Sequence, residues 1–528
     1  MSASFLRRLL CTAALAGGLL VLGGGAANAT EIVPGADAIL TQTQDATNTN
    51  TTDQTATANA ETTQVNVNAP IAILSPGANS GDVTQSNTAD TTATAGNTNT
   101  TDQSVWQDQT GIVSGGCGSC GGGSISQDQS GENTNDTTQD SEANASTTQY
   151  NVNAPIAILS PGAGGSSCDP CGGSGGDVNQ SNDATTTAWA GNQNDTTQTV
   201  GQSQDATVAG SGFCGCEGPS IAQTQIGTND NTTDQNATAN AETTQVNVNA
   251  PIAILSPGAN SGAVTQSNQA DTNATAYNGN TTDQSIWQKQ DAVVRGDGCG
   301  NCHSGGGSIS QDQSGENTND TTQDAVANAT TEQQNLNVPI AILSPSCGCH
   351  GGGDVNQSND AATTAWAGNS NATSQSVTQD QDGRIWGGHG CGGCQPSPCH
   401  CEPDPCSHEC EPSPCDCHPN PCSPCEPHPC DCEPAPCSRC EPHPCGCPHQ
   451  GSIDQSQTGS NANDTHQNAE ANGHTYQKNE NEPFSYFSPG AGGGAVSQAN
   501  DTTTTAWAGN GNATDQVVGQ AQFAALRR

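Results

Sequence analysis

Polar residues return with a period of two along most of the chain. The clearest copy places one set of side chains on every second position, with mostly Thr, Asp and Asn between them: Gln223, Gln225, Gly227, Asn229, Asn231, Thr233, Gln235, Ala237 and Ala239. A period of two indicates an extended strand, because successive side chains point to opposite faces. The repeated face carries amides and small residues instead of apolar ones, so it predicts strands that stack on copies of themselves.

Two kinds of half-unit alternate along the chain. The first reads like S-I-S-Q-D-Q-S-G-E-N-T-N-D-T-T-Q and begins near Thr41, Ser126, Ala222, Ser310 and Asp454. The second reads like V-N-Q-S-N-D-A-T-T-T-A-W-A-G-N and begins near Val83, Val178, Val264, Val355 and Val496. Such self-similarity predicts a solenoid or array, in which each unit buries a face only against its neighbours.

A short apolar segment follows each first half-unit. It reads N-A-P-I-A-I-L-S-P-G around Pro70, and its last copy has drifted to N-E-P-F-S-Y-F-S-P-G around Pro483. An apolar run between two prolines predicts a buried strand or a tight crossover, because proline ends a strand ladder. Stacked copies would align one isoleucine per repeat in a narrow apolar column: Ile71, Ile156, Ile252 and Ile340.

Aromatic residues recur in the second half-units. A-W-A-G-N contains Trp189, Trp366 and Trp507, and Tyr277 stands in A-Y-N-G-N. These positions predict a ladder of stacked aromatic rings across the repeats. Carbohydrate binding by the rings is the alternative interpretation.

The composition argues against a conventional hydrophobic core. Hydrophobic residues make up only 30% of the chain and aromatic residues 3%. Ordering a chain costs roughly 1–2 kcal/mol per residue, which ordinary cores offset with many large apolar side chains. Either the chain is largely disordered or stacked amides replace the core. We predict an all-β repeat, namely a polar β-solenoid or amyloid-like array rich in Asn, Gln and Thr, with disordered Gly-rich loops and an irregular Cys/Pro-rich insert.

The first residues predict export. Arg7 and Arg8 precede an apolar stretch, and Ala27-Asn28-Ala29 is a small-residue cleavage site, so residues 1–29 read as a signal peptide. The expected location is secreted, extracellular or on the cell surface, with no transmembrane helix after removal of this leader. The remaining regions are the polar β-repeat region with eight half-units at 30–385, the Cys/Pro/His-rich insert at 386–450, and the last two half-units with a C-terminal tail at 451–528.

The formal net charge of −43 limits the choice of partner. Nucleic acid is excluded, because binding to phosphates needs basic patches. The acids are scattered, which predicts solubility and mutual repulsion between chains. The period-two rows favour self-association, and other cell-surface or matrix components are further possible partners.

The first half-unit resembles the curlin repeat of bacterial functional amyloids, whose pattern runs Q-x-G-x-x-N-x-A-x-x-x-Q. In this chain, Gln225, Gly227, Asn229 and Asn231 lead to Gln235. The spacing between Gly and Asn is one residue shorter, and Asn replaces Ala. The resemblance covers about half of the chain after the leader, and it implies a secreted, self-assembling surface fibre built from a strand-turn-strand β-solenoid.

Cysteines occur in close pairs, and export to an oxidising compartment favours disulfides. Candidates for disulfides lie mostly in the Gly-rich loops that join half-units: Cys117, Cys120, Cys168, Cys171, Cys214, Cys216, Cys299, Cys302, Cys347, Cys349, Cys391 and Cys394. Prolines at alternate positions keep the insert extended between its pairs, which favours bridges to other chains.

Metal binding is the rival interpretation of the insert, because Zn and Cu(I) accept thiolate and imidazole ligands. The alternative ligands would be Cys399, Cys401, Cys406, Cys410, Cys415, Cys417, Cys422, Cys425, Cys430, Cys432, Cys437, Cys440, Cys445 and Cys447, with His400, His408, His418, His428 and His443. No confident metal or cofactor site is predicted.

The sequence favours a structural protein over an enzyme. It has no P-loop or H-E-x-x-H motif, and Lys289 and Lys478 are its two lysines. We predict an exported cell-surface or matrix protein that self-assembles through polar β-repeats and is cross-linked through cysteine pairs. The alternatives are a metal-binding surface protein that uses the insert, and an ice- or carbohydrate-binding solenoid with flat threonine rows such as Thr185, Thr187 and the T-T-T-T run of residues 502–505.

Overall fold

β-Strands form all the regular secondary structure of the described residues. A computed structural model describes residues 15–22, 26–34, 39–75, 81–115, 123–160, 176–211, 218–256, 262–297, 307–344, 353–386, 451–488 and 494–527. The strands form three parallel sheets. The predicted all-β repeat fold is confirmed.

The first half-units form one sheet of long strands. Each strand has 30 residues, roughly 100 Å of extended chain. Neighbours pair with no shift in register, so that Gln127 lies between Gln42 and Gln223. In spatial order this first sheet contains β3 (Ile39–Asn68), β6 (Ser124–Asn153), β9 (Ser220–Asn249), β12 (Ser308–Asn337) and β15 (Ser452–Asn481).

The second half-units form the second sheet in the same way. Its strands have 32 to 34 residues and again pair residue for residue, from Val83 opposite Val178 onward. In spatial order they are β5 (Val83–Gly115), β8 (Val178–Ser211), β11 (Val264–Asp297), β14 (Val355–Trp386) and β17 (Val496–Arg527).

Main chain from the predicted leader and from the five residues after it lies along the outer edge of β5. The strands β1 (Leu15–Leu22) and β2 (Ala26–Pro34) both pair with β5 in parallel, on the side away from β8. This part of the chain therefore takes the position that an additional second-sheet strand would have.

The apolar segments form a narrow corner sheet. Its strands are three residues long: β4 (Ile71–Ile73), β7 (Ile156–Ile158), β10 (Ile252–Ile254), β13 (Ile340–Ile342) and β16 (Phe484–Tyr486). The next residue has a left-handed φ in every copy, from 54° at Leu74 to 49° at Phe487. This conformation turns the chain sharply, so the predicted tight crossover is confirmed.

The isoleucines of the corner form a column, but they are not its most buried side chains. Ile71, Ile156 and Ile252 are in register, and Ile71 is 65% exposed. The alanine between two isoleucines faces inward instead, and Ala253 is 2% exposed. Because side chains alternate in a strand, one face of Ile-Ala-Ile must carry the alanine.

One first-sheet strand, one corner strand and one second-sheet strand make a rung of the solenoid. The chain runs along the first sheet, turns at the corner and returns along the second. Rung 1 contains β3 to β5, rung 2 β6 to β8, rung 3 β9 to β11, rung 4 β12 to β14 and rung 5 β15 to β17. Successive rungs lie about 4.8 Å apart, the usual spacing of paired strands.

The two long sheets pack face to face around a mostly polar interior. A block of small residues, including Ala188, Ala190, Ala237 and Ala239, is completely buried and brings the sheets together. Smaller clusters of Val, Ile and Leu lie elsewhere along the strands. Most other buried side chains are Gln, Asn and Thr, so hydrogen bonds must satisfy the interior.

Candidate functional site

Buried glutamines form continuous hydrogen-bonded ladders through the stack. In one ladder each Nε2 donates to the Oε1 of the equivalent glutamine in the preceding rung, at 2.8 or 2.9 Å. Its members in the second to fourth rungs are at most 1% exposed. From rung 1 to rung 5 they are Gln42, Gln127, Gln223, Gln311 and Gln455.

The second hydrogen of these amides connects the two sheets. Gln129 Nε2 donates to Gln44 Oε1 and also to the main-chain oxygen of Ser203 in the facing sheet, both at 3.1 Å. A bond of this kind contributes about 1 kcal/mol net, whereas a buried polar group left without a partner costs about 1–3 kcal/mol. Each rung must therefore carry an amide at the same position.

Interior asparagines form ladders that donate in the opposite direction. Asn133 Nδ2 donates to Asn229 Oδ1 in the following rung at 2.9 Å, and Asn229 donates to Asn317 at 2.9 Å. The Gln ladders donate toward the first rung and these Asn ladders toward the last. The two open ends of the stack consequently present different polar atoms.

Buried threonines form a zigzag of hydroxyls that the sequence did not predict. Each hydroxyl donates at 2.7 or 2.8 Å to a threonine of the facing sheet, so the chain of bonds crosses the interior at every step. In the T-T-T run of residues 185–187, the middle residue Thr186 is the inward one. In order the zigzag contains Thr62, Thr91, Thr147, Thr186, Thr243, Thr272, Thr331, Thr363 and Thr475.

The glycine of the Q-x-G pattern allows close approach of the facing sheet. A Cβ at Gly227 would lie 2.9 Å from Ile286 Cγ2, and one at Gly315 would lie 2.7 Å from Val377 Cγ1. Both glycines lie within uninterrupted strands, so the first half-unit here is one continuous strand without a turn. This geometry differs from the strand-turn-strand unit that the resemblance implies.

Acidic side chains on the outer face of the first sheet alternate between rungs. Glu132 and Glu316 share one row, and Thr228 separates them; in a nearby row Asp230 stands alone. Like charges directly opposite one another destabilise a sheet, so this alternation removes most of that cost. In the described strands of this sheet, Asp320 opposite Asp464 is the exception.

Residual repulsion remains where acids approach diagonally. Partial burial raises the pKa of Asp230, and the carboxylates of Glu132 and Glu316 raise it further. Burial likewise raises the pKa of Asp234, with added contributions from Asp140 and Asp324. The folded stack therefore holds protons more tightly than the unfolded chain.

The second sheet contains one column of three adjacent acids, Asp205, Asp291 and Asp382. Lys289 Nζ lies 2.5 Å from Asp291 Oδ2, and Arg384 is paired with Asp382. Burial and the neighbouring Asp291 raise the pKa of Asp205. Two of the basic residues, Lys289 and Arg384, thus lie beside stacked acids.

The predicted aromatic ladder is present in part on the outer face of the second sheet: the rings of rungs 3 to 5 stack, whereas Trp189 lies opposite Thr275 and belongs to neither stacked pair. The Tyr277 and Trp366 ring centroids lie 5.9 Å apart, those of Trp366 and Trp507 5.1 Å apart, and both pairs are stacked. Trp366 also covers Gly368, where a Cβ would lie 2.7 Å from the indole. Stacking covers the facing sides of these rings, while Trp507 stays 50% exposed at the free edge.

The proposed flat threonine rows are interrupted. Thr185 is exposed but lies between Asp90 and Asp271 of the neighbouring rungs. Thr187 has Thr92 on one side and Asn273 on the other. Acids and amides thus break the repeated hydroxyl surface that ice binding would need.

All cysteines of the chain lie outside the described residues, as do the five insert histidines considered as ligands. The predicted disulfide set, Cys117 to Cys394, and the alternative metal set, Cys399 to Cys447, therefore stay predictions. Among the described ranges, no group of three or more His, Cys, Asp or Glu side chains is placed to hold a metal ion. No helix in these ranges has the length and apolar character needed to cross a membrane.

Comparison with protein-family models, curated proteins and solved structures finds no match to this chain. The functional interpretation therefore follows from the residues themselves. The candidate functional feature is the set of buried amide ladders, whose last members in rung 5 lie at an open edge of the sheets.

Proposed function

We propose that this chain is an exported structural protein that assembles into cell-surface or extracellular-matrix fibres by stacking its rungs on those of other copies, with cysteine pairs as cross-links. The observation that carries this proposal is the open end of the ladders. Gln455 Nε2 donates into the stack at 2.8 Å, so its Oε1 faces the free edge, where another amide can donate.

The free edges of rung 5 are long and uninterrupted. The strands β15 and β17 have 30 and 32 residues, and their side chains are mostly exposed or half-buried, including Trp507 at 50% and Val518 at 45%. Natural proteins usually protect such edges with prolines, bulges or coverings, because an open edge binds another strand. A long open edge at which each amide ladder lacks its next member favours self-association.

The positions of the cysteine-bearing connections support cross-linking. Segments 116–122, 212–217, 298–306 and 387–450 each connect a second-sheet strand to the next first-sheet strand. Their described flanks stack in register, as in Ser124 opposite Ser220 and Ser220 opposite Ser308. The strand spacing of about 4.8 Å falls within the Cα separation of roughly 4.4–6.8 Å that disulfides require.

The assembly proposal is tested on purified chain that begins at Thr30. We expect β-structure that increases with protein concentration, binding of an amyloid dye, and fibre diffraction with reflections near 4.8 Å and 10 Å. Added salt should speed assembly, because it screens the repulsion between acidic chains. A chain that stays monomeric at every salt and protein concentration would refute the proposal.

The cross-linking proposal is tested by thiol titration of the non-reduced protein recovered from outside the cell. We expect almost no free thiol, and release of covalent multimers on reduction. If most insert cysteines are free and Zn or Cu is released with a chelator in stoichiometric amount, the metal-binding alternative replaces cross-linking.

A further inference from the structure

We infer that copies join head to tail, with rung 5 of one copy on rung 1 of the next and with no offset in register, so that β15 pairs with β3 and β17 with β5. This inference rests on the proposed self-assembly and specifies the contact between two copies, rung 5 on rung 1, which we call the joint. The occupant of the free edge is a second copy of the chain.

Within the described part of the chain, three buried oxygens of rung 1 have no hydrogen-bond partner, and they point to the joint. They are the Oδ1 atoms of Asn50, Asn97 and Asn99, whose side chains are at most 2% exposed. The Nδ2 atom of each donates toward rung 2, so each Oδ1 is directed to the free side. Such orphaned acceptors are rare. The β5 edge is covered here by β1 and β2, and once it is uncovered the two β5 oxygens become open acceptors at the free side.

Rung 5 carries the matching donors at the same positions of its strands. Following the register through the stack leads from Asn50 to Asn463, from Asn97 to Asn510 and from Asn99 to Asn512. The asparagines of rung 4 already donate to these three residues at 2.7 to 3.0 Å. One further step in the same direction takes the Nδ2 atoms of rung 5 to the orphaned oxygens of the next copy.

The other inward positions of the two ends also match. Ile453 would lie on Leu40, Gln455 on Gln42 and Thr465 on Thr52 in the first sheet. A shift by one residue would place outward side chains inside, and a shift by two would place amides against apolar groups. The zero-offset register is therefore the one that continues every ladder.

Charges on the outer face of the first sheet favour the same register. The two histidines of the described residues lie in rung 5, and at zero offset His466 meets Asp53 and His474 meets Glu61. All four side chains are exposed. At this register β15 and β3 place no acid opposite another acid; in the second sheet one such pair arises, Asp515 on Asp102.

The predicted leader occupies part of this edge. The β1 main chain pairs with β5 and places Ala16 opposite Asn97 and Gly18 opposite Asn99. Neither residue type has a side-chain hydrogen-bond donor. The joint therefore requires removal of the leader and displacement of residues 30–34, which pair with residues 110–114 of β5. Removal of the leader would couple assembly to processing.

A charge swap across the joint tests the inference. In one chain, residues 53 and 466 lie four rungs apart, roughly 19 Å, so direct coupling between them requires a second copy. We expect His466→Asp to raise the critical concentration for assembly roughly two- to five-fold, and the double variant with Asp53→His to restore it.

Ala462→Asp is the matched control, because it adds an acid to the same exposed face four residues away, between Thr318 of its own chain and Thr49 of the next copy. It should change the critical concentration much less. If the double variant shows the sum of the single effects, the head-to-tail register is wrong although assembly itself stands. If no variant assembles, including the unchanged chain, the proposed function fails instead.

The leader provides an independent readout. Chain that retains residues 1–29 should elongate preformed fibres several-fold more slowly than chain that begins at Thr30. Equal elongation rates would contradict the blocked edge.

Discussion

The two faces of the strand β9 follow opposite rules. On the inward face of β9, Asn229 lies between Asn133 and Asn317, so neighbouring rungs repeat the same residue. On its outward face, Asp230 lies between Thr134 and Thr318. Amides gain hydrogen bonds from identical neighbours, whereas carboxylates repel theirs. A stack of polar strands therefore needs identical amides in neighbouring rungs on its inward face, and acids separated by neutral residues on its outward face.

An outer ladder shows that exposure, and not only residue type, separates the two faces. Asn240 donates to Asn144 at 2.8 Å and accepts from Asn328 at 2.8 Å, as an interior asparagine would. Water can replace these bonds on the outer face if they break. The same substitution should consequently have very different effects on the two faces.

The largest expected effect comes from replacing an interior amide. Asn229→Asp removes the donors to Asn317 and to the Ser285 oxygen and buries a carboxylate against acceptors, which should destabilise the fold by several kcal/mol. Asn240→Asp on the outer face of the same strand is the control and should cost less than about 1 kcal/mol. Denaturant unfolding measures both, and equal losses would contradict a buried amide interior.

A smaller effect is expected when the alternation of acids is broken. Thr232→Asp would place a carboxylate between Asp136 and Asp320 and should cost about 1 kcal/mol at low salt. Ala222→Asp, between Ser126 and Ser310, is the control and should cost less. The difference between the two unfolding free energies should shrink at high salt; a difference of zero at low salt would mean that the alternation is incidental.

The smallest effect is a pH dependence of the unchanged protein. The pKa values of Asp205, Asp230 and Asp234 are raised above the ordinary 3.8 in the folded state, mainly by burial. The folded state therefore binds more protons than the unfolded one between 3.8 and the raised values. Stability from these groups is fully present below this window and is lost as pH rises through it.

Acidification from pH 7 toward about 4 should accordingly raise the unfolding midpoint. Denaturant titrations at fixed ionic strength measure this shift. A midpoint that falls over the same range would show that other groups, with the opposite linkage, dominate.

The period-two pattern was sufficient to predict which side chains lie inside. The inward set of β9 contains the amides and alanines read from the sequence, because a strand can place only alternate residues on one face. The aromatic ladder was also predictable, since Trp366 and Trp507 stand at equivalent positions of their repeats. Because neighbouring rungs pair with no shift in register, equivalent residues of successive repeats lie next to one another.

Other features depended on the packing of the two sheets. The threonine zigzag joins Thr186 to Thr147 and Thr243, which lie in the facing sheet, and no local pattern indicates that pairing. The apolar corner segment predicted buried isoleucines, but in the folded chain Ala253 is the inward side chain. Contacts between sheets depend on which half-units face one another, and a strand pattern alone does not encode this.

The sequence by itself determined that the chain forms stacked polar strands, because alternation and repetition leave identical amide faces that only neighbouring copies can satisfy. The tertiary structure decided the direction of donation in each ladder and left the oxygens of Asn50, Asn97 and Asn99 without partners. The physical reason is that an amide has distinct donor and acceptor ends, and its orientation is set jointly by the next rung and by the facing sheet.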